Sequence, residues 1–350
     1  MCRARCGQAH DHRLRHPERS DGSQLELARA CVEILRCVQD DEDVDRAADA
    51  MTRIALIGLG EVGRILAEDL GRAGCAIAVW DLKLSDPDSV PSRAAAACGV
   101  RVGSSAADAV SDAELVISAV TAAQDVEAAR AAAAGIEPGA WFLDLNSASP
   151  GMKREAAALI EAASGKAVEA AVMSPYPPKR LATAKLLGGP HAEAFLPVAE
   201  RLGFSGCRVF SAELGKASAA KMCRSVMVKG IEALLSESLL SARHYGVEDV
   251  VLASLDDLFP GPDWPVLSRY MISRTLEHGT RRAEEMREVA RTMSEAGVEP
   301  LMSAACAERQ DWAVQFAEAL SEDDLKTMLD AIRTRMAKNA DASQDARTGS

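Results

Sequence analysis

The chain has 350 residues and a formal net charge of −12 at pH 7, which argues against the basic face that contact with a nucleic-acid backbone requires. No stretch reaches the ~18 uncharged apolar residues of a membrane span. With 48% hydrophobic and 26% charged residues it has the composition of a globular chain with room for two or three domains. The nine cysteines are odd in number and scattered. Cys75, Cys98, Cys207, Cys223 and Cys306 sit in apolar or helical contexts and read as reduced thiols of a cytoplasmic protein.

Residues 1–50 differ from the rest. They open on MCRARCGQAHDHRLRHPERSDGS, which is polar and has no apolar period. Cys2, Cys6, His10, His12 and His16 lie close together, but CxxxC followed by HxHxxxH fits no structural zinc pattern. Residues 23–39 can form one amphipathic helix, and the acidic run Asp40 to Asp45 reads as solvated linker. The expectation is a disordered or dispensable leader, with the functional protein beginning at Met51. Deleting residues 1–50 should then leave cofactor affinity intact, and a large loss in a binding titration would overturn that expectation.

The stretch TRIALIGLGEVGRILAEDL (52–70) is the most informative in the chain. An apolar strand (54–57) runs into Gly58-Leu59-Gly60-Glu61-Val62-Gly63, and an amphipathic helix follows. This is the strand, glycine turn and helix of a dinucleotide-binding fingerprint. The first glycine serves the tight turn and the second the approach of backbone to a pyrophosphate. The third allows close helix–strand packing, and the helix N-terminus faces the anion. A second strand, AIAVW (76–80), ends at Asp81, about 20 residues past the glycines, where a carboxylate can accept hydrogen bonds from a ribose 2′-hydroxyl. Asp81 favours NAD over NADP by repelling a 2′-phosphate, while Lys83 leaves NADP open.

Beyond Asp81 the pattern alternates. A loop (84–93) leads to a helix (92–98), a short strand (100–102) and a short helix (106–110). A buried strand, 114–120, ends at Thr121, and an alanine-rich helix (124–134) follows. The strand 140–145 ends in Asn146-Ser147-Ala-Ser-Pro150, and helix 151–164 returns to a strand at 167–172. Strands and helices alternating at this length predict an α/β doubly wound parallel sheet of the Rossmann kind, with ligands at the carboxyl ends of the strands. Gly58–Gly63, Asp81, Val120–Thr121 and Asn146–Ser147 all fall at such ends. The proline-rich MSPYPPKR (173–180), a strand at LATAKLLGG (181–189), a helix (191–202) and the strand CRVF (207–210) extend this first domain to residue 211. From residue 212 to about 337 only helical periods are legible. They include a thirty-residue run from Gly215 to about His244, a break at FPGPDWP (259–265), and a long helix from Val266 to Ala296. Residues 338–350 read as a disordered tail.

The helix GKASAAKMCRSVMVKG (215–230) carries the candidate chemistry. Lys221, Arg224 and Ser225 share one helical face. Oxidising an alcohol by hydride transfer also requires loss of the hydroxyl proton. A lysine partly desolvated against an apolar wall has a lowered pKa and can exchange that proton. On spacing alone, Lys221 and Arg224 read as surface residues of an amphipathic helix.

Three motifs in this order, GLGEVG (58–63), DLNSASP (144–150) and GKASAAKMCRS (215–225), give the chain from Met51 to about Asp311 a resemblance. It resembles the 3-hydroxyacid dehydrogenase family, which includes 3-hydroxyisobutyrate dehydrogenase and the related 6-phosphogluconate dehydrogenase. The resemblance implies an all-helical C-terminal domain of the 6-phosphogluconate dehydrogenase kind and makes Lys221 the catalytic lysine. It also makes Asn146 and Ser147 the pair that binds a substrate carboxylate. The family pattern has asparagine where this chain has Ser225, and the glycine-rich segment expected after the strand at 167–172 is replaced by MSPYPPKR, so the substrate pocket differs. The segment LEHGTRRAEEMREVARTMSEAGVEP (276–300) is similar to an uncharacterised branch of the superfamily. It carries His278, Arg281, Arg282 and Glu285, either a charged solvated face or, through an arginine, a site for an anionic substrate.

These readings converge on an NAD(P)-dependent oxidoreductase acting on a small anionic hydroxy acid, in which Ser225 orients substrate or Lys221 and Arg224 adds an anion contact. An imine reductase shares the architecture, but the resemblance there implies another residue at the position of Lys221. A non-catalytic cofactor-binding sensor or scaffold is the rival from another class. The long apolar helix needs more cover than one domain gives, which predicts a homodimer.

Overall fold

The computed structural model describes residues 52–348. The leader's Cys/His cluster, its helix, the acidic run and Met51 lie outside the described residues.

Eight strands form one sheet in the order β3-β2-β1-β4-β5-β6-β7-β8. They are β1 (Arg53–Ile57), β2 (Ala76–Trp80), β3 (Arg101–Val102), β4 (Leu115–Ser118), β5 (Trp141–Asp144), β6 (Lys166–Val172), β7 (Lys185–Gly188) and β8 (Cys207–Ser211). Helices α1 (Glu61–Arg72), α2 (Val90–Cys98), α3 (Ala106–Val110), α4 (Asp125–Ala133), α5 (Pro150–Ala162) and α6 (Ala192–Arg201) connect them. β1 is flanked by β2 and β4, both parallel to it. The strand order therefore reverses between β1 and β4, opening the crevice in which such sheets bind ligands.

β4 and β5 read as continuous apolar runs because both sheet faces are covered. Ile54, Leu56, Ile65, Leu66 and Leu70 join the core on one face. Ala55, Ile57, Val116, Phe142 and Ile160 join the core on the other. The sheet departs from the all-parallel expectation at β7, which pairs antiparallel with β6. Only a turn region joins these two strands, and a parallel pair needs a crossover with room for a helix. The strand expected over 181–189 is correspondingly shorter, because Arg180–Ala182 forms a 3-10 turn.

After Ser211 the described chain is helical: α7 (Lys216–Tyr245), α8 (Glu248–Leu258), α9 (Trp264–Glu295), α10 (Leu301–Ala313) and α11 (Leu325–Thr348). α9 breaks at His278, whose φ is −126°. The next residue, Gly279, lies so close to α10 that a Cβ there would stand 2.4 Å from the Gln310 carbonyl oxygen. A core of Leu235, Leu239, Ile272, Leu276, Phe316, Met328 and Leu329 binds α7, α9 and α11 together. The tail expected over 338–350 is instead helical as far as Thr348. The segment 337–348 contains neither glycine nor proline, so nothing in it stops α11.

Candidate active site

The cofactor side is set by backbone. Gly58 sits at φ +94°, and a Cβ there would stand 2.4 Å from the Ala119 carbonyl oxygen. At Gly63 a Cβ would meet the Gly58 carbonyl oxygen at 2.1 Å, so α1 can lie this close to the turn only with glycine. Gly60 is exposed, and a Cβ there would have nothing within 4 Å. No side chain caps the N-terminus of α1. Its first-turn N–H groups are thus available to an anion. The Leu59 N–H donates to Asp81 Oδ2 at 2.8 Å and the Lys83 N–H to Asp81 Oδ1 at 2.9 Å, fixing the carboxylate beside the glycine turn. Leu59 is buried, so it can reach a ligand only through its backbone; Glu61, Thr121 and Lys83 are exposed, and Val62 and Val120 are half-buried. This arrangement fits a dinucleotide: an uncapped helix N-terminus for the pyrophosphate, open space at the second glycine and a held carboxylate for the ribose.

The substrate side is set by side chains from distant segments. Lys221, half-buried on α7, donates from Nζ to Ser147 Oγ at 2.5 Å, joining the helical region to the end of β5. Burial pushes the Lys221 ammonium down to about 8; the Glu285 carboxylate opposes this, and the positive charges of Lys229, Lys153 and Arg281 add to it. Ser225, one turn along, is 7% exposed. Arg224 is exposed. Two turns along, Lys229 pairs with Glu285 at 2.6 Å, and Arg281 reaches the same carboxylate at 2.6 Å. Burial works against the Glu285 charge, but Lys229, Arg281 and Lys221 outweigh it and hold the carboxyl down at about 2.

Asn146 does not offer its amide to a substrate. It is 3% exposed. Its Oδ1 accepts from the Val120 N–H at 2.7 Å, and its Nδ2 donates to Ser118 Oγ at 2.9 Å and Asp125 Oδ1 at 2.6 Å. Of the expected pair, Ser147 is the one whose hydroxyl meets Lys221, while Asn146 ties the end of β4 to the loop after β5. The N-terminus of α5 is also held from afar. Ser149 N–H donates to Glu288 Oε2 at 3.0 Å, and Gly151 N–H donates to Glu295 Oε2 at 2.9 Å, so α9 docks on the loop that carries Ser147.

Of the cluster expected on α9, Glu285 and Arg281 reach the surroundings of Lys221. Arg282 turns inward, 9% exposed, and donates to Glu232 on α7. His278 stands at the helix break, where burial, with Arg274 adding to it, pushes its pKa down. Cys223 is exposed next to the site residues, and Cys98, Cys207 and Cys306 are also thiols. Among the described residues no cluster of three His, Cys, Asp or Glu side chains is placed to hold a metal ion, and no helix is long and apolar enough to cross a membrane.

Residues 53–211 match the NAD binding domain of 6-phosphogluconate dehydrogenase, and residues 242–313 match a domain of unknown function, DUF1932. A solved conserved hypothetical protein from Sinorhizobium meliloti 1021 is 36% identical, covering 82% of this chain and 97% of its own, with a TM-score of 0.64. A second solved structure is 32% identical, covers 77% of this chain and 100% of its own, and has a TM-score of 0.60. It is a conserved protein of unknown function described as structurally similar to 3-hydroxyacid dehydrogenases. This chain belongs to the 3-hydroxyacid dehydrogenase-like superfamily. Its fold is that superfamily's, a Rossmann-like sheet followed by a helical region. Among curated superfamily relatives, the NAD-dependent L-serine dehydrogenase of Pseudomonas aeruginosa is 28% identical over 219 residues, 61% of this chain and 72% of its own. The superfamily places this chain among NAD-binding dehydrogenases of CH–OH groups.

Sequence reasoning missed Lys229 and Lys153. Lys229 had a signal, since 221, 225 and 229 form one i, i+4, i+8 stripe. Lys153 had none, because a charged residue on an amphipathic helix is expected at the surface.

Proposed function

We propose that the protein oxidises or forms a small anionic hydroxy acid, with Lys221 as the general acid/base. The observation that carries this reading is the contact between Lys221 Nζ and Ser147 Oγ at the carboxyl end of β5. It puts a half-buried lysine of lowered pKa at the strand ends, where open α/β sheets bind their ligands. The nicotinamide, when bound, supplies the hydride acceptor or donor. Gly58–Gly63 and Val120–Thr121 line its crevice, and Asp81 favours NAD over NADP. Ser147 and Ser225 orient the substrate beside Lys221. Arg224, on the same stretch of α7, supplies the cation for the carboxylate. In the oxidation direction, neutral Lys221 takes the hydroxyl proton as the hydride leaves; in reduction, the ammonium returns it. This role argues against an imine reductase and against a catalytically silent scaffold. Screening small hydroxy acids, L-serine and 3-hydroxyisobutyrate first, for NAD reduction at pH 9 tests the reading. Binding of NADH without turnover of any hydroxy acid would favour the scaffold.

The division into a cofactor domain (51–211) and a helical domain (212–337) belongs to the same proposal, as does a cytoplasmic homodimer. Met227 and Leu234, seven residues apart on α7, are 65% and 58% exposed, giving a stripe that a second copy could cover. A monomer by light scattering would remove the dimer.

A further inference from the structure

α5 carries a lysine with almost no access to solvent: the Lys153 side chain is 1% exposed. Its Nζ lies 2.5 Å from Asp144 Oδ1 and 3.7 Å from Asp125 Oδ2. Its charge also acts on Glu169. The side chains of Asp144, Lys153 and Glu169 line one small cavity with Phe142, Ala157 and Leu214. One ammonium therefore faces three buried carboxyl groups. Burial opposes its charge, yet Asp125 and Asp144 outweigh burial and raise its pKa, keeping it an ammonium. Such a group is costly to bury, and removing the single cation would leave the carboxylates uncompensated.

Each of the three carboxyl groups holds a different part of the candidate site. Asp125 Oδ1 accepts from Asn146 Nδ2 at 2.6 Å, and Asn146 in turn accepts from the Val120 N–H in the cofactor loop. Asp144 Oδ1 accepts from the Asn146 N–H at 2.9 Å, next to Ser147. Glu169 Oε1 accepts from the Gly215 N–H at 2.8 Å and the Ala217 N–H at 3.1 Å, and so holds the N-terminus of α7. Gly215 has no capping side chain of its own, and Lys221 lies one turn past Ala217. Glycine at 188 makes room for this, since a Cβ there would stand 2.3 Å from Glu169 Oε1.

We infer that Lys153 is a positioning residue, a buried cation through which the cofactor loop at 120, the substrate loop at 146–147 and the N-terminus of the Lys221 helix are held in a common frame. Lys153 touches neither cofactor nor substrate in this role. The inference rests on the proposed role of Lys221, but it can be tested without turnover.

The test uses the full chain with its lysines carrying 13C-methyl labels, the Lys221 resonance being assigned by its loss in Lys221→Arg. In Lys153→Met the Lys221 titration midpoint should rise by about half a pH unit or more. NADH affinity should weaken about fivefold or more. Glu169→Ala should raise the midpoint as well, whereas Glu169→Gln, which keeps an acceptor oxygen for Gly215 and Ala217, should stay closer to the parent. Loss of the Lys153 charge alone already raises the Lys221 midpoint in Lys153→Met. A role in stability or charge alone would therefore lower the melting temperature of all three, leave NADH affinity in place and give the two Glu169 variants equal midpoints, which would overturn the inference. If Lys153→Met does not fold, the Glu169 pair decides: equal midpoints in the alanine and glutamine variants overturn it. If the midpoint moves as expected while no hydroxy acid is turned over, the frame stands and the proposed reaction falls.

Discussion

Between Gly58 and Asp81 the cofactor side is made almost wholly of backbone: a turn at φ +94°, a helix N-terminus without a cap, and a carboxylate held by two main-chain N–H groups. The substrate side is made of side chains. Ser147 and Lys221 meet from positions 74 residues apart, and Lys229 and Glu285 join them from further along α7 and from α9. A backbone site is specified by residues close in sequence, because turn geometry is local. A side-chain site depends on where helices come to rest, and buried charges then adjust its chemistry across the interface.

If the two sides are independent in what they do, mutations should separate them. Lys221→Met should lower turnover about a hundredfold or more and leave NADH affinity near that of the parent in a fluorescence titration. Equal losses in both would mean that Lys221 holds the fold together and that the two sides are one. Asp81→Ala should act in the opposite sense, weakening NAD by about tenfold and NADP by less, with little change in kcat at saturating cofactor. Tighter binding of NADP than NAD by the unmutated protein would show that Lys83 outweighs Asp81.

The smallest effect probes the electrostatics of the substrate side. In the proposed reaction, oxidation needs neutral Lys221, so the rate should rise with pH and level off above about 8. The Glu285 carboxylate favours the ammonium, so Glu285→Gln removes that support and leaves Lys229 and Arg281 repelling it. The midpoint of the kcat–pH profile should then move below that of the parent by about one unit. A midpoint that rises instead would mean that Glu285 acts on Lys221 through packing rather than charge.

The strands, the order of helices and the crevice residues were legible because each has a local cause. Apolar runs mark β4 and β5, glycines mark the turn after β1, and the absence of proline marks α7. The antiparallel β7 was not legible, since a short apolar run carries no direction. Nor was the burial of Asn146, Lys153, Glu169 and Arg282. Each is a polar residue whose own segment gives no sign of its burial, and each becomes internal only when a partner from another segment arrives. For Arg282 that partner is Glu232, and for Glu169 it is the N-terminus of α7. The internal hydrogen bonds of the Asn146 amide to Val120, Ser118 and Asp125 were hidden for the same reason.

The sequence by itself determined the α/β frame, the glycine turn with Asp81, and the placement of Lys221 and Ser225 on one helical stripe. These follow from periodicity and from the steric needs of glycine, which act over a few residues. Only the tertiary structure decided that Ser147 is the residue that meets Lys221, that Asn146 faces inward, and that Lys153, Lys229 and Glu285 surround the site with buried charge. Those outcomes depend on desolvation and on pairing between charges far apart in the chain. Neither exists until the sheet and the helices have closed on each other.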